Sequence, residues 1–198
     1  MTDPRVLEVF SDYVCPWCYL GSARVERLKR EHGVRVKFVH FPLHPDTPAE
    51  GKSLEALFAG RGYDIPKMQA QMRARMAAEG LPYGDRKMTY NSRLAQELAS
   101  WAVSQAGGEA IPDALFRAYF VEGRNIGDPP VLLEISKTLG LDEAPAREGI
   151  EKRTHKGAVD ADWEKSRQYG VTGVPTYVVG DRGVVGAQPY ETLEELVK

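Results

Sequence analysis

The segment Ser11-Asp12-Tyr13-Val14-Cys15-Pro16-Trp17-Cys18-Tyr19-Leu20 decides the fold that we expect of this chain. It contains the only two cysteines among 198 residues, and they stand three positions apart. Residues 5–10 before it are rich in valine, leucine and phenylalanine and predict a β-strand. From residue 16 to about residue 30, apolar residues recur at helical spacing, and proline suits the first turn of a helix. Both thiols therefore lie where a strand gives way to a helix.

Two thiols at this spacing can close a disulfide and open it again. Unpaired backbone N–H groups and the positive end of the helix dipole favour an anion at a helix N-terminus, which lowers the pKa of a cysteine there. We therefore expect Cys15 to be the attacking thiolate. Cys18, nearly one turn later and less exposed, is expected to be the resolving thiol. Pro16 stiffens the turn, and Trp17 offers a substrate an apolar surface.

A second motif, Gly173-Val174-Pro175-Thr176, stands directly before a predicted strand. An X-Pro bond at the entry to a strand is a candidate for the cis isomer, and the dithiol upstream favours that interpretation. A cis proline facing the dithiol would leave the backbone N–H and carbonyl of Val174 free to pair with an extended substrate. The alternative is an ordinary trans proline at the start of a strand.

The order of predicted elements is that of a thioredoxin fold interrupted by helices. Residues 34–41 form a second strand, residues 176–179 and 184–185 a hairpin, and residues 190–198 a closing helix. The apolar periodicity of residues 50–155 predicts helices throughout this stretch. We therefore predict an α/β protein with a thioredoxin-like domain, 1–48 plus 156–198, and a large all-α helical insertion, 49–155.

Composition and charge exclude several classes of function. With 42% hydrophobic and 27% charged residues, the chain is typical of globular proteins, and its net charge of −2 argues against a general nucleic-acid binder. Residues 1–10 have no apolar signal region, and no stretch approaches the roughly 18 apolar residues of a membrane span. We expect a cytoplasmic protein that does not bind membranes. In that compartment a close cysteine pair is typically catalytic or metal-binding.

A zinc-binding interaction module is therefore an alternative, because His40 and His44 follow at a spacing that mimics a Cys2His2 set. The long gap after Cys18 and the intervening Pro42 argue against it.

Met68, Met72 and Met76 form a helical stripe that indicates core packing, although methionines also form adaptable walls of substrate clefts. A further set of basic residues predicts a solvated face, or a site for the carboxylates of glutathione: Arg73, Arg75, Arg86, Lys87 and Arg93.

Four segments together resemble the DsbA-like branch of the thioredoxin superfamily, and most closely the FrnE-like proteins. These are Asp12-x-x-Cys15-Pro16-Trp17-Cys18, Leu115-Phe116-x-Ala118-Tyr119-Phe120-x-Glu122-Gly123 followed by Ile126-x-Asp128, Gly173-Val174-Pro175-Thr176, and Gly186-Ala187-Gln188-Pro189. The resemblance implies a cytoplasmic dithiol–disulfide oxidoreductase or isomerase that needs no cofactor. Its partners would be disulfide- or dithiol-containing proteins or small molecules. It also implies that Cys15 is the nucleophile, Cys18 the resolving thiol, and Val174-Pro175 the cis-proline loop.

Related enzymes leave a second function open. Kappa-class glutathione transferases and 2-hydroxychromene-2-carboxylate isomerases share this architecture, use glutathione, and typically place serine where Cys15 stands. A glutathione-dependent isomerase or transferase is therefore the alternative activity, with glutathione as co-substrate. Exposed apolar surface on the insertion would permit a homodimer.

Overall fold

The structure, a computed structural model, describes residues 6–198 and divides into two compact units. Among the described residues, the sheet unit comprises residues 6–43 together with Ala161–Lys198, and the helical unit comprises His44–Asp160. The domain boundaries predicted from the sequence, 48/49 and 155/156, lie about five residues inside the helical unit at each end. Residues 1–5 of the predicted first domain, including the start of its first strand, lie outside the described residues.

The strands and helices alternate as follows. The strands are β1 (Val6–Ser11), β2 (Arg35–His40), β3 (Lys52–Ser53), β4 (Met88–Thr89), β5 (Thr176–Val179) and β6 (Arg182–Val185). The helices are α1 (Pro16–His32), α2 (Leu54–Leu57), α3 (Ile65–Ala78), α4 (Arg93–Ala102), α5 (Ile111–Phe120), α6 (Pro129–Thr138), α7 (Glu143–Glu151), α8 (Lys156–Gln168) and α9 (Tyr190–Val197). A short 3₁₀ turn, Gly108–Ala110, precedes α5.

The sheet unit is built on a four-stranded mixed sheet in the order β2-β1-β5-β6. β1 pairs with β2 in parallel, with Ser11 opposite His40 at the last position. β1 also pairs with β5 in antiparallel fashion, and β5 forms a hairpin with β6. The central strand β1 therefore delivers its carboxyl end, and the loop that follows, beside the start of β5. The predicted thioredoxin-like α/β fold is confirmed.

Side-chain alternation along the strands buries one face of the sheet under α1 and α9. Leu7 and Val9 of β1 pack with Val25 and Leu28 of α1 and with Leu193 of α9 in one apolar cluster. The helix α1 begins at Pro16, where the missing N–H breaks no bond, and ends at Gly33 in the left-handed conformation (φ 62°). The core thus fixes α1 across the sheet with its N-terminus at the carboxyl end of β1.

The helical unit departs from the all-α expectation at one small ladder among the described residues. β3 and β4 pair over two residues each, because two extended segments leading into helices run side by side. Inside the unit, the buried Glu97 accepts hydrogen bonds from Arg93 (2.7 Å) and Arg153 (2.6 Å), which join α4 to the turn before α8. No helix within residues 6–198 is both long and apolar enough to cross a bilayer.

Close packing between α1 and β5 leads to the first prediction. A Cβ added at Gly21 would stand 2.1 Å from the Tyr177 hydroxyl oxygen, whereas the next atoms lie at 3.5 Å (Tyr177 Cζ) and 3.8 Å (Pro175 Cγ). Gly21→Ala should therefore lower the free energy of unfolding by about 1–3 kcal/mol through overpacking. In a Tyr177→Phe background the same substitution should be neutral or stabilising by up to about 1 kcal/mol, since alanine favours a helix. Urea unfolding of the four proteins measures this, and an equal penalty in both backgrounds would contradict it.

Candidate active site

The loop between β1 and α1 is fixed by a buried carboxylate. Asp12 Oδ1 accepts a hydrogen bond from the Val14 N–H (3.1 Å), and Asp12 Oδ2 accepts one from the Leu43 N–H (3.0 Å). The Cys15 N–H donates to the Asp12 carbonyl oxygen at 3.1 Å. One aspartate therefore shapes the turn that leads into the helix and ties it to the chain beyond β2.

Cys15 is the N-cap residue of α1 and Cys18 lies in its first turn. The two cysteines lie 3.4 Å apart and form no disulfide. The N–H groups of Cys18 and Tyr19 both donate to the Cys15 carbonyl oxygen, at 3.1 and 3.2 Å, and the first turn contains no acidic side chain. The Cys15 side chain thus meets the positive end of α1 without a competing carboxylate on that turn.

The expectation that Cys18 is the less exposed thiol is wrong. Cys15 is 3% exposed and Cys18 is 4% exposed, so both residues are buried. What differs is the electrostatic environment of the second thiol. Burial raises the pKa of Cys18 well above its usual value of 9.0; the hydrogen bond with Cys15 raises it further, and the Ser11 hydroxyl lowers it. Cys18 therefore remains a neutral thiol at physiological pH.

The loop before β5 lies against the dithiol. The Val174–Pro175 peptide bond is cis, which confirms that prediction. The Cys15 thiol donates a hydrogen bond to the Val174 carbonyl oxygen at 3.5 Å, although 159 residues separate them in sequence. The Thr176 hydroxyl donates to the Gly173 carbonyl oxygen (2.7 Å) and the Gly186 N–H to that of Pro175 (2.7 Å), so this loop is fixed at both ends.

Between the cysteines, Pro16 and Trp17 occupy the outer side of the first helical turn. Pro16 is partly buried, whereas Trp17 is 41% exposed, an unusual exposure for so large an apolar side chain. The structure thus places Cys18 and the Val174 carbonyl oxygen beside Cys15 and leaves the Trp17 indole accessible to solvent.

The two cysteines, His40 and His44 do not gather into the zinc site that we considered. His40 Nδ1 bonds to Asp162 (2.8 Å) in the sheet unit, whereas His44 belongs to the helical unit. Among residues 6–198, no three His, Cys, Asp or Glu side chains cluster so that they could bind a metal ion. The contact between His40 and Asp162 was missed from the sequence. The residues are 122 positions apart and share no motif, so the sequence contains no signal for their contact.

The other residues singled out in the sequence have structural roles. Met72 and Met76 are buried in the helical unit, which agrees with core packing of the methionine stripe. Arg73 pairs with Asp85 at the surface. The expectation of a solvated basic face is wrong for Arg86, which is 8% exposed and lies over the rings of two aromatic residues of α5.

The raised pKa of Cys18 predicts how the stability of the reduced protein depends on pH. Because the folded-state pKa exceeds the unfolded value, Cys18 contributes stability that is complete below about pH 9 and is lost as the pH rises towards the folded pKa. Between about pH 8 and pH 10 the wild type should lose about 1 kcal/mol more stability than Cys18→Ala. Urea unfolding of both reduced proteins at the two pH values measures the difference. Equal losses would contradict the prediction.

Comparison with known proteins agrees with this arrangement. The family model of the DSBA-like thioredoxin domain matches residues 6–198. The Bacillus subtilis (strain 168) protein YwbO, described as uncharacterized, is 27% identical over 203 residues, covering 96% of this chain and 94% of its own. The crystal structure of a probable DsbA oxidoreductase from Streptomyces coelicolor superposes with a TM-score of 0.87 and 32% identity, covering 97% of this chain and 88% of that one.

A third protein shares the fold at lower identity. The structure of a 2-hydroxychromene-2-carboxylate isomerase superposes with a TM-score of 0.79 over 96% of this chain and 93% of that chain, with 20% identity. At that identity the likeness concerns the fold alone. With the family model spanning the described part of the chain, the protein belongs to the DsbA-like thioredoxin family.

Proposed function

We propose that the protein is a thiol–disulfide oxidoreductase in which Cys15 attacks and Cys18 resolves. The observation that supports this best is the pair of reduced cysteines 3.4 Å apart at the N-terminus of α1. A disulfide bond is about 2.05 Å long, so a small movement of either side chain closes it. Membership of the DsbA-like family supports the same class of reaction.

The reaction proceeds as two exchanges. The Cys15 thiolate attacks one sulfur of a substrate disulfide, forms a mixed disulfide with it, and releases the other sulfur as a thiolate. Cys18 then attacks the Cys15 sulfur, which forms the Cys15–Cys18 disulfide and releases the second substrate thiolate. Two electrons pass from the dithiol to the substrate. The reverse sequence oxidises a substrate dithiol, and the reduction potential of the pair against its surroundings sets the direction.

The environments of the two thiols support this division of roles. Cys15 is the N-cap residue of a helix whose first turn carries no carboxylate, a position at which helices favour negatively charged groups. Burial and the neighbouring Cys15 raise the pKa of Cys18, which therefore stays protonated until the mixed disulfide has formed. The two cysteines thus differ in their position on the helix and in the environment of Cys18 rather than in exposure.

The Val174 backbone supports a role in substrate alignment. Its carbonyl oxygen accepts the hydrogen bond of the Cys15 thiol, whereas its N–H donates no hydrogen bond within residues 6–198. An extended substrate segment can pair with this N–H as an added strand. Pro175 positions the loop, Pro16 shapes the turn, and the exposed Trp17 offers apolar contact.

Disulfide- and dithiol-containing molecules are the proposed substrates. The use of glutathione, a homodimer and a cytoplasmic location stay predictions.

Reduction of insulin by dithiothreitol, catalysed by the protein, tests the proposal with single cysteine variants. We expect Cys15→Ser to reduce insulin no faster than the uncatalysed reaction, because the nucleophile is gone. Cys18→Ser should accumulate a covalent mixed disulfide, since the resolving thiol is missing; mass spectrometry detects it. Ser22→Ala, on the same helix, is the matched control and should keep wild-type activity.

Two results would reject the function. One is full turnover of a glutathione-dependent small-molecule isomerisation by Cys18→Ser together with no insulin reduction by the wild type. The other is failure of both cysteines in the native protein to react with an aromatic disulfide reagent until denaturant is added. The second result matters because both thiols are buried.

A further inference from the structure

A histidine–carboxylate pair, with the histidine buried, lies at the end of β2 beside Ser11 and has no part in the two exchange steps described above. His40 Nδ1 lies 2.8 Å from Asp162 Oδ2, and the same oxygen accepts the His40 backbone N–H at 3.1 Å. Because an ionised carboxylate only accepts hydrogen bonds, His40 Nδ1 carries the hydrogen of this contact. In the neutral imidazole, Nε2 then presents a bare lone pair.

That second nitrogen lies in the interior with no hydrogen-bond partner among residues 6–198. The whole residue is only 5% exposed. The titratable groups that contact the ring in the described part of the chain are Asp162 of α8 and Tyr13 of the active-site loop, whose ring centroid lies 5.9 Å away. Buried polar atoms nearly always have a hydrogen-bond partner. An unpartnered basic nitrogen at this place therefore indicates that a water molecule or another group binds to it.

The sheet places this histidine close to the resolving thiol. His40 stands directly opposite Ser11 in the β1–β2 ladder, and the Phe41 N–H donates to the Ser11 carbonyl oxygen at 2.9 Å. The Ser11 side chain lies close enough to Cys18 to lower the pKa of its thiol. Cys18 and His40 therefore flank the same residue at the end of the central strand.

The second exchange needs a proton acceptor at this place, because Cys18 is a neutral thiol before it attacks. Both carboxylate oxygens of Asp12 already accept backbone N–H groups. Burial raises the pKa of Tyr13 and that of Tyr177, so neither phenol is ionised near neutral pH and neither is a base. Imidazole is the side chain best matched to proton exchange near neutrality.

Building on the proposed function, we propose that His40, oriented by Asp162, accepts the Cys18 proton in the second exchange through the Ser11 hydroxyl and water. The Cys18 sulfur bonds to the Cys15 sulfur, the bond from Cys15 to the substrate sulfur breaks, and the substrate leaves as a thiolate. The proton of Cys18 passes to His40 Nε2. Asp162 stabilises the imidazolium that forms. The substrate disulfide is the oxidant, and the dithiol is oxidised by two electrons.

Stopped-flow absorbance with the aromatic disulfide 5,5′-dithiobis(2-nitrobenzoate) separates the two exchanges, because each releases one coloured thiolate. In His40→Gln the second phase should slow about tenfold to a hundredfold at neutral pH and recover as hydroxide increases with pH. The first phase should keep its rate and pH profile. If His40 had only a structural role, its substitution would change more than the rate and pH profile of the second phase.

Asp162→Asn provides a second test at a position where the side chain is 22% exposed and the fold is expected to persist. The asparagine amide oxygen can still accept the His40 backbone N–H and the Nδ1 hydrogen, so the tautomer is kept, but the negative charge that stabilises the imidazolium is lost. The second phase should therefore slow as in His40→Gln. His32→Gln is the matched control, since His32 Nε2 pairs with Glu194 (3.0 Å) in the same unit, and it should behave as wild type.

The outcomes separate this inference from the proposed function. A slowed second phase in both variants, with a normal first phase and normal far-ultraviolet circular dichroism, supports the proton acceptor. A second phase at the wild-type rate and pH profile in Asp162→Asn, or in folded His40→Gln, overturns it and leaves the oxidoreductase intact. If the wild type shows no second phase at all, the proposed function itself fails.

Discussion

The placement of the dithiol depends on the buried carboxylate of Asp12. The chain must leave the central strand and enter a helix within a few residues, which leaves backbone N–H groups in an interior that water does not reach. Asp12 accepts two of them, one from its own loop and one from Leu43 beyond β2. An unsatisfied buried N–H costs about 1–3 kcal/mol, so this residue fixes the loop conformation that sets Cys15 at the helix N-terminus.

From that position the two thiols acquire different properties although they are equally buried. Cys15 caps α1 and its thiol donates a hydrogen bond to the Val174 carbonyl oxygen, whereas burial and the adjacent thiol raise the pKa of Cys18. The proposed exchange needs one cysteine that attacks and one thiol that stays protonated until the mixed disulfide has formed. Burial keeps Cys18 in the second state, and no charged side chain in the first turn of α1 contributes to it.

The protonated state of Cys18 bears on other residues of the sheet unit. In the proposed reaction the Cys18 proton leaves when the mixed disulfide is resolved, and that step needs a base in the interior. The end of β2 supplies an imidazole beside Ser11, and α8 supplies the carboxylate that fixes its tautomer. As in other carboxylate–imidazole pairs, the carboxylate orients the ring through one nitrogen and leaves the second nitrogen available.

The sequence by itself determined the local features of this protein. The strand before Cys15, the helix after it, Gly33 at the helix end and the hairpin at β5–β6 all follow from apolar periodicity and from proline and glycine, which act within a few residues. Pairing Cys15 with Cys18 needed only their spacing. Only the tertiary structure decided the burial of Cys15, the contact between Asp162 and His40, and the burial of Arg86 against aromatic rings. Each of these features depends on segments that are far apart in sequence and come into contact only when the sheet and helices pack. No local pattern of residues predicts such a contact.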